Sequence, residues 1–227
     1  MCSRPITARW GAPTAAFRYE ENAHVPLLIA HPAGKAGATS SALTSHLDLV
    51  PTFVGLTGLP DAQRSQAVRA LPGHDFSALL ADPEKASVTA VRPGVLFNYV
   101  GPSTVDGDYL RAIMSSLFLR RPSPPLSQAN LDKRGFLSFA FDGRYKFGRY
   151  YAPTAINTPR TLEEILRNND VQLFDLQNDP QEVRNLALQP DQNRETILRM
   201  NELLNELFAK EVGVNDGRFL TRIIGPK

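Results

Sequence analysis

The sequence predicts a protein of the α/β class in two parts: a sheet layer built from a strand, a loop and a capped helix, then a small antiparallel α+β subdomain. Three observations predict it. A short apolar run, Val25 to Ala30 (VPLLIA), precedes a Gly-rich loop and a helix-start signal, which is the order of a layered α/β unit. Two alternating stretches, Gly135 to Phe141 and Arg144 to Tyr150, flank Asp142-Gly143, a dipeptide that favours a tight hairpin. Near the end, Ile197, Met200, Leu204, Leu207 and Phe208 recur at helical spacing. The division falls at 134/135, with residues 1–134 forming the α/β core with a Pro-rich excursion and residues 135–227 the hairpin, a further strand and the long helix.

Bulk properties limit the function classes. The chain has 227 residues, a net charge of +2 and a single cysteine, Cys2. The basic residues are dispersed rather than clustered, so there is no electrostatic footprint for nucleic acid. One cysteine excludes an intrachain disulfide. No apolar run is long enough to span a bilayer and the N-terminus lacks the order of a signal peptide, which leaves the compartment open and reads, as written, as cytoplasmic. The 18 prolines favour many short elements joined by loops.

Residues 1–17 carry no helical or alternating period and read as an irregular lead-in. Tyr19 to Asn22 form a polar collar before Val25 to Ala30, whose near-continuous apolar character suits a strand covered on both faces. Pro26 removes one ladder donor, placing the strand's start or a sheet edge there. Ala33 to Ser41 is a flexible loop that lacks the spacing of a phosphate-binding P-loop. Ser45, with Asp48 three residues on, resembles a capping box, and Pro51 fits a first helical turn. Leu47, Val50, Val54 and Leu56 or Leu59 supply that helix's apolar face, and Gly58 and Pro60 end it.

Asp61 to Leu71 is polar and reads as a connector. Gly73 to Asp82 reads as a short helical turn carrying Phe76, Leu79 and Leu80 inward. Val95 to Val100 is a second strand, and residues 101–130 are an exposed excursion around a helix from Tyr109 to Leu119. After the hairpin, Thr161 and Glu164 cap a short helix. Val171 to Leu176 makes a further strand turned by Asn178-Asp179-Pro180. The long helix runs from Asn193 to Val212, ended by Gly213, and residues 214–227 are a loosely specified tail.

No complete catalytic set emerges from these residues. Cys2 stands at the extreme terminus, and no Gly-x-Ser-x-Gly elbow is present. His24, His31, His46 and His74 are isolated and read as surface or internally satisfied histidines rather than metal ligands. Glu20 and Glu21 are adjacent carboxylates, which point apart on most backbones. Arg9, Arg18 and Lys35 are bases near the mouth of the first strand, where they would meet an anion, although nothing in the sequence focuses them.

Two blocks nevertheless carry a resemblance. One is Tyr19-Glu20-Glu21-Asn22 with His24-Val25-Pro26-Leu27-Leu28-Ile29 and Leu43 to Thr52 (LTSHLDLVPT); the other is Leu173 to Ala187 (LFDLQNDPQEVRNLA). In this order, with a hairpin and Lys146 between them, they resemble the arylsulfatase-type sulfatases of the alkaline phosphatase superfamily, over the C-terminal half of that family's length.

The resemblance implies a partial alkaline-phosphatase-like sheet layer followed by a small four-stranded antiparallel C-terminal subdomain. It implies hydrolysis of a small-molecule sulfate ester by a formylglycine made in a Cys/Ser-x-Pro-x-Arg motif, with calcium held by carboxylates and an Asn. In family order both lie upstream of the matching blocks. Cys2-Ser3-Arg4-Pro5 is not that motif, so the chain alone is expected to hold no catalytic residue, no metal ligand and no cofactor, and to be inactive. The family places a Lys ahead of the Tyr-Glu pair to bind sulfate, and in that interval Arg9 and Arg18 are the only bases, hence the candidate substrate-binding residues. The alternatives are a fragment of a phosphonate or phosphate ester hydrolase of the same superfamily, and a non-enzymatic interaction module. The expected partner is a protein or an N-terminal half.

Overall fold

The computed structural model describes residues 23–214, and among them lies a single sheet of four antiparallel strands in the order β1 (Val95–Tyr99), β2 (Phe136–Phe141), β3 (Tyr145–Tyr151) and β4 (Asp170–Asp175). Alternation dictates its two faces. Leu96 pairs with Ala140, Ala140 with Phe147 and Phe147 with Leu173, which draws one apolar row across all four strands. On the opposite face Phe97 pairs with Phe139, their rings stacked at 4.9 Å. β1 lies ahead of residue 135, so the sheet draws on both segments set apart in the sequence.

Five α-helices lie wholly among the described residues: α1 (Leu49–Gly55), α2 (Asp61–Val68), α3 (Gly107–Phe118), α4 (Leu162–Asn168) and α5 (Arg194–Glu211). The stripe on α5 is buried as its spacing requires, and Ile197, Met200, Leu204 and Leu207 join Ala140, Phe147, Leu173 and Ile165 in the main core. Each of these side chains apart from Ala140 contributes about 1.5–3 kcal/mol by leaving water. The capping box at Thr161 and Glu164 starts α4 as predicted.

The hairpin forms one residue later than the dipeptide signal suggests. Asp142 N donates to Tyr145 O at 3.2 Å, leaving Gly143 and Arg144 as the central pair. Gly143 has φ +97°, which only glycine adopts without strain. The Asp142 carboxylate accepts from the backbone N–H groups of Arg144 and Tyr145 at 2.8 and 2.6 Å, closing the turn from the side.

Several expectations need correction. Val25 to Ala30 is not a strand: it has no regular structure, Leu28 is 94% exposed, and Val25, Leu27 and Ile29 are exposed as well. An apolar run becomes a strand only where other strands satisfy its backbone groups, and no described strand lies beside it. Asp61 to Leu71 is not merely a connector, because Asp61–Val68 is helical. It was invisible to periodicity because it buries no residue and so needs no apolar stripe. α1 forms where predicted, but its buried residues are Pro51 and Thr52, while Leu47, Val50, Phe53 and Leu59 are exposed. Of the three residues assigned inward from the following turn, only Phe76 is fully buried. The lead-in, the Tyr19 to Asn22 collar and the tail from residue 215 lie outside the described residues.

Candidate functional site

Asp48 is the point on which the most distant parts of the chain converge. Its backbone starts the helical region: Ser45 N donates to Asp48 Oδ2 at 2.7 Å, completing the predicted capping box. The same carboxylate is fully buried and accepts three further bonds, from His74 N at 2.8 Å, Arg92 Nε at 2.9 Å and Arg92 Nη2 at 2.6 Å. Arg92, 1% exposed, turns its remaining nitrogen to Glu211 Oε1 at 2.7 Å, at the end of α5. One guanidinium thus ties the start of α1, the approach to β1 and the last turn of α5.

Small residues make this approach possible. A Cβ on Gly73 would stand 1.9 Å from the Leu47 carbonyl oxygen, and one on Gly55 would meet the Asp75 carboxylate at 2.3 Å. Next to them Phe76 N donates to Thr52 Oγ1 at 3.1 Å, which stitches the 73–76 segment to α1.

Beside the network opens a cleft of roughly 190 Å³, lined by His74, Arg92, Leu203, Glu206, Lys210 and Glu211 among others. At its mouth Lys210 Nζ and His74 Nε2 are 3.1 Å apart. Burial, and then the charges of Lys210 and Arg92, lower the His74 pKa below 6.5, so at neutral pH the uncharged ring accepts a hydrogen bond from the Lys210 ammonium. Burial raises the Glu211 carboxyl above its ordinary value, against the pull of Arg92.

This arrangement joins distant segments of the chain. Arg92 is neutralised by two carboxylates and has no charge to spare for an oxyanion. The Thr52 hydroxyl accepts from Phe76 N and serves to join the 73–76 segment to α1. Among the described residues no group of three or more His, Cys, Asp or Glu could hold a metal ion.

The second sequence block is equally structural. Asp175 accepts from Arg144 Nε and Nη2 at 3.1 and 2.8 Å and from Asn178 Nδ2 at 2.8 Å, and the Arg144 contact holds its carboxyl down at about 2. Asp179 accepts from the N–H groups of Val183 and Arg184, and Asn185 Oδ1 from those of Leu173 and Ala187. Glu182 Oε1 lies 3.0 Å from Lys146 Nζ in a buried pair that reaches across to β3.

Of the residues singled out from sequence, Arg9, Arg18, Cys2, Glu20 and Glu21 lie outside the described residues. Lys35 pairs with Glu84 at the surface, and His31 Nδ1 accepts from Ala33 N at 3.2 Å. His46 sits in the turn beneath the Ser45 cap. Only His74 enters the network. Sequence reading missed Arg92 and Glu211. One signal was available: a glutamate in the last turn of a helix opposes the macrodipole and calls for a cation.

No protein-family model matches the chain. It is 27% identical over 230 residues to an endo-4-O-sulfatase of Bacteroides thetaiotaomicron, a match covering all of this chain and 36% of that protein. Its backbone resembles that of a protein solved in complex with its substrate D-glucosamine-2-N,6-O-disulfate, with a TM-score of 0.51 and 15% identity over 82% of this chain and 28% of the other. The chain is thus similar in sequence, along its whole length, to that endo-4-O-sulfatase, and it shares its fold with the second protein. The chain spans about a third (36%) of the length of the curated relative it matches.

Proposed function

We propose that the chain is the C-terminal structural part of a sulfatase acting on sulfate esters of sugars, and that by itself it hydrolyses none. The observation that carries this reading is where the two sulfatase-like blocks go: Ser45, Asp48, Pro51 and Thr52 of the first and Asp175, Asp179, Glu182 and Asn185 of the second cap helices, close turns and join elements. On this reading they belong to the family's architecture rather than to its chemistry.

Sulfate ester hydrolysis needs an activated nucleophile and a centre that neutralises charge developing on the leaving group. The described residues offer neither, and the family order puts both upstream of these blocks. A sugar substrate is proposed because the similar fold was solved with D-glucosamine-2-N,6-O-disulfate, and a sulfate ester because the relative is an endo-4-O-sulfatase. Arg9 and Arg18 are the proposed contacts to the sulfate. The coding sequence ahead of Met1 tests the reading. We expect a frame encoding Cys/Ser-x-Pro-x-Arg, continuous with this one or adjacent to it; a genomic neighbourhood without one would overturn it.

A further inference from the structure

A surface helix needs one apolar stripe, directed at the core. α3 carries a second. Tyr109 is buried and Ile113 half-buried on its inward face, whereas Leu110, Met114, Leu117 and Phe118 recur at the same helical spacing on another face, with Leu119 directly after them. Met114, Leu117, Phe118 and Leu119 are all exposed, Phe118 by 87%. The segment is nonetheless held in place. Asp106 closes its base, accepting from Asn130 N at 3.0 Å and from Lys133 Nζ at 2.6 Å. Tyr109 OH donates to Pro124 O at 2.9 Å, which folds residues 119–124 back along α3. Together these bonds make a projection whose tip is residues 117–121.

The tip is also cationic. No Asp or Glu occurs from 109 to 131, and the other charged side chains between 106 and 134 are engaged: Asp106 with Lys133, Asp108 with Arg111, Asp132 with Thr154 and Arg134 with Asp170. Arg120 and Arg121 are exposed, and among the described residues their side chains make no hydrogen bond or ion pair. Arg120 stands where the backbone favours another residue. Arg121 N donates to Ser116 O at 2.8 Å and Arg120 N to Leu117 O at 3.2 Å, the pattern of a helix end whose turning residue is commonly glycine. Arg120 takes that turn at φ +54°, a left-handed conformation that costs any side chain strain, and its exposed side chain returns no packing.

We propose that this tip docks on an anionic membrane surface: Leu117, Phe118 and Leu119 enter the boundary between headgroups and acyl chains, while Arg120 and Arg121 pair with lipid phosphates. Charge complementarity selects the occupant. A second copy of the chain would bring two cationic tips together. A sulfated sugar chain would answer the arginines but presents little apolar surface to four large apolar side chains. An anionic bilayer supplies both the charge and the apolar phase. Lying on a surface requires no spanning length, and among the described residues no helix has one. The inference does not depend on the reading of the chain as part of a sulfatase.

The test is co-sedimentation of the full chain with phosphatidylcholine vesicles, with and without phosphatidylglycerol. The chain is expected to sediment with the anionic vesicles and to stay in solution with the neutral ones. Phe118→Ser should weaken binding by at least about tenfold, and Arg120→Gly by about fivefold. Neither variant disturbs the fold: Phe118 is exposed, so the melting temperature stays unchanged, and glycine relieves the strain at φ +54°, so in Arg120→Gly it does not fall. Loss of binding is thereby separated from loss of structure. Failure to sediment with the anionic vesicles, equal sedimentation with both lipids, or binding that neither variant weakens overturns the inference. Self-association without lipid that Phe118→Ser abolishes overturns it in favour of a second copy, and binding to a soluble sulfated polysaccharide but not to vesicles in favour of a sugar chain. Loss of vesicle binding when the chain is joined to the part of the endo-4-O-sulfatase that it does not match overturns it in favour of that part as the cover.

Discussion

Asp48 joins distant parts of the chain, because one carboxylate satisfies two backbone donors and two of the three nitrogens of a buried guanidinium. Asp48→Asn keeps the shape but removes the charge and places an N–H against Arg92. Breaking one side of a buried, hydrogen-bonded ion pair costs about 3–5 kcal/mol, and we expect a loss of that size in urea denaturation; a loss below ~1 kcal/mol would show that Glu211 alone suffices for Arg92. His74 adds a pH dependence of known sign. Burial beside Lys210 and Arg92 lowers its folded pKa below the ordinary 6.5, so the stability it contributes is full above pH 6.5 and is lost as pH falls towards the folded value. Glu211, raised by burial, works in the opposite direction. The comparison is therefore between the protein and His74→Asn, in which the Glu211 contribution cancels. Stability measured from pH 7 to 5 should fall more steeply in the protein than in the variant, and parallel curves would exclude this role for His74.

At the scale of elements, the turns depend on glycines for different reasons. Gly73 is needed for space: a methyl group there would stand 1.9 Å from the Leu47 carbonyl oxygen, forcing the 73–76 segment away from α1 and breaking the His74 N to Asp48 bond. Gly73→Ala is expected to destabilise by at least ~2 kcal/mol, a bond lost to a buried charged acceptor plus backbone strain, measurable as a lowered urea midpoint with unchanged slope. No change in midpoint would mean that the segment yields freely. The hairpin, α4 and α5 were legible in the sequence because their signals are local: alternation around Asp142-Gly143, the Thr161 and Glu164 box, and a stripe at helical spacing. α2 left no signal, since a helix that buries nothing needs no pattern.

For the whole molecule, what sequence reading missed was set by distance along the chain. Arg92 meets Asp48 across 44 positions and Glu211 across 119, and no window pattern reports a partner so far away. Val25 to Ala30 shows the converse. Its composition describes the surroundings that a strand requires, but not whether this chain provides them. The long-range ties and the structural use of both sequence blocks fit the proposed reading, in which this chain would belong to the frame of a sulfatase and another portion would carry the chemistry. No helix among the described residues is long and apolar enough to cross a membrane.

The most direct measurement is sulfate release from a 4-O-sulfated oligosaccharide by the purified 227-residue chain, with calcium and with a chelator. The account predicts no release above the uncatalysed background in either condition. Calcium-dependent turnover that is saturable in the sugar and abolished by the chelator would contradict it.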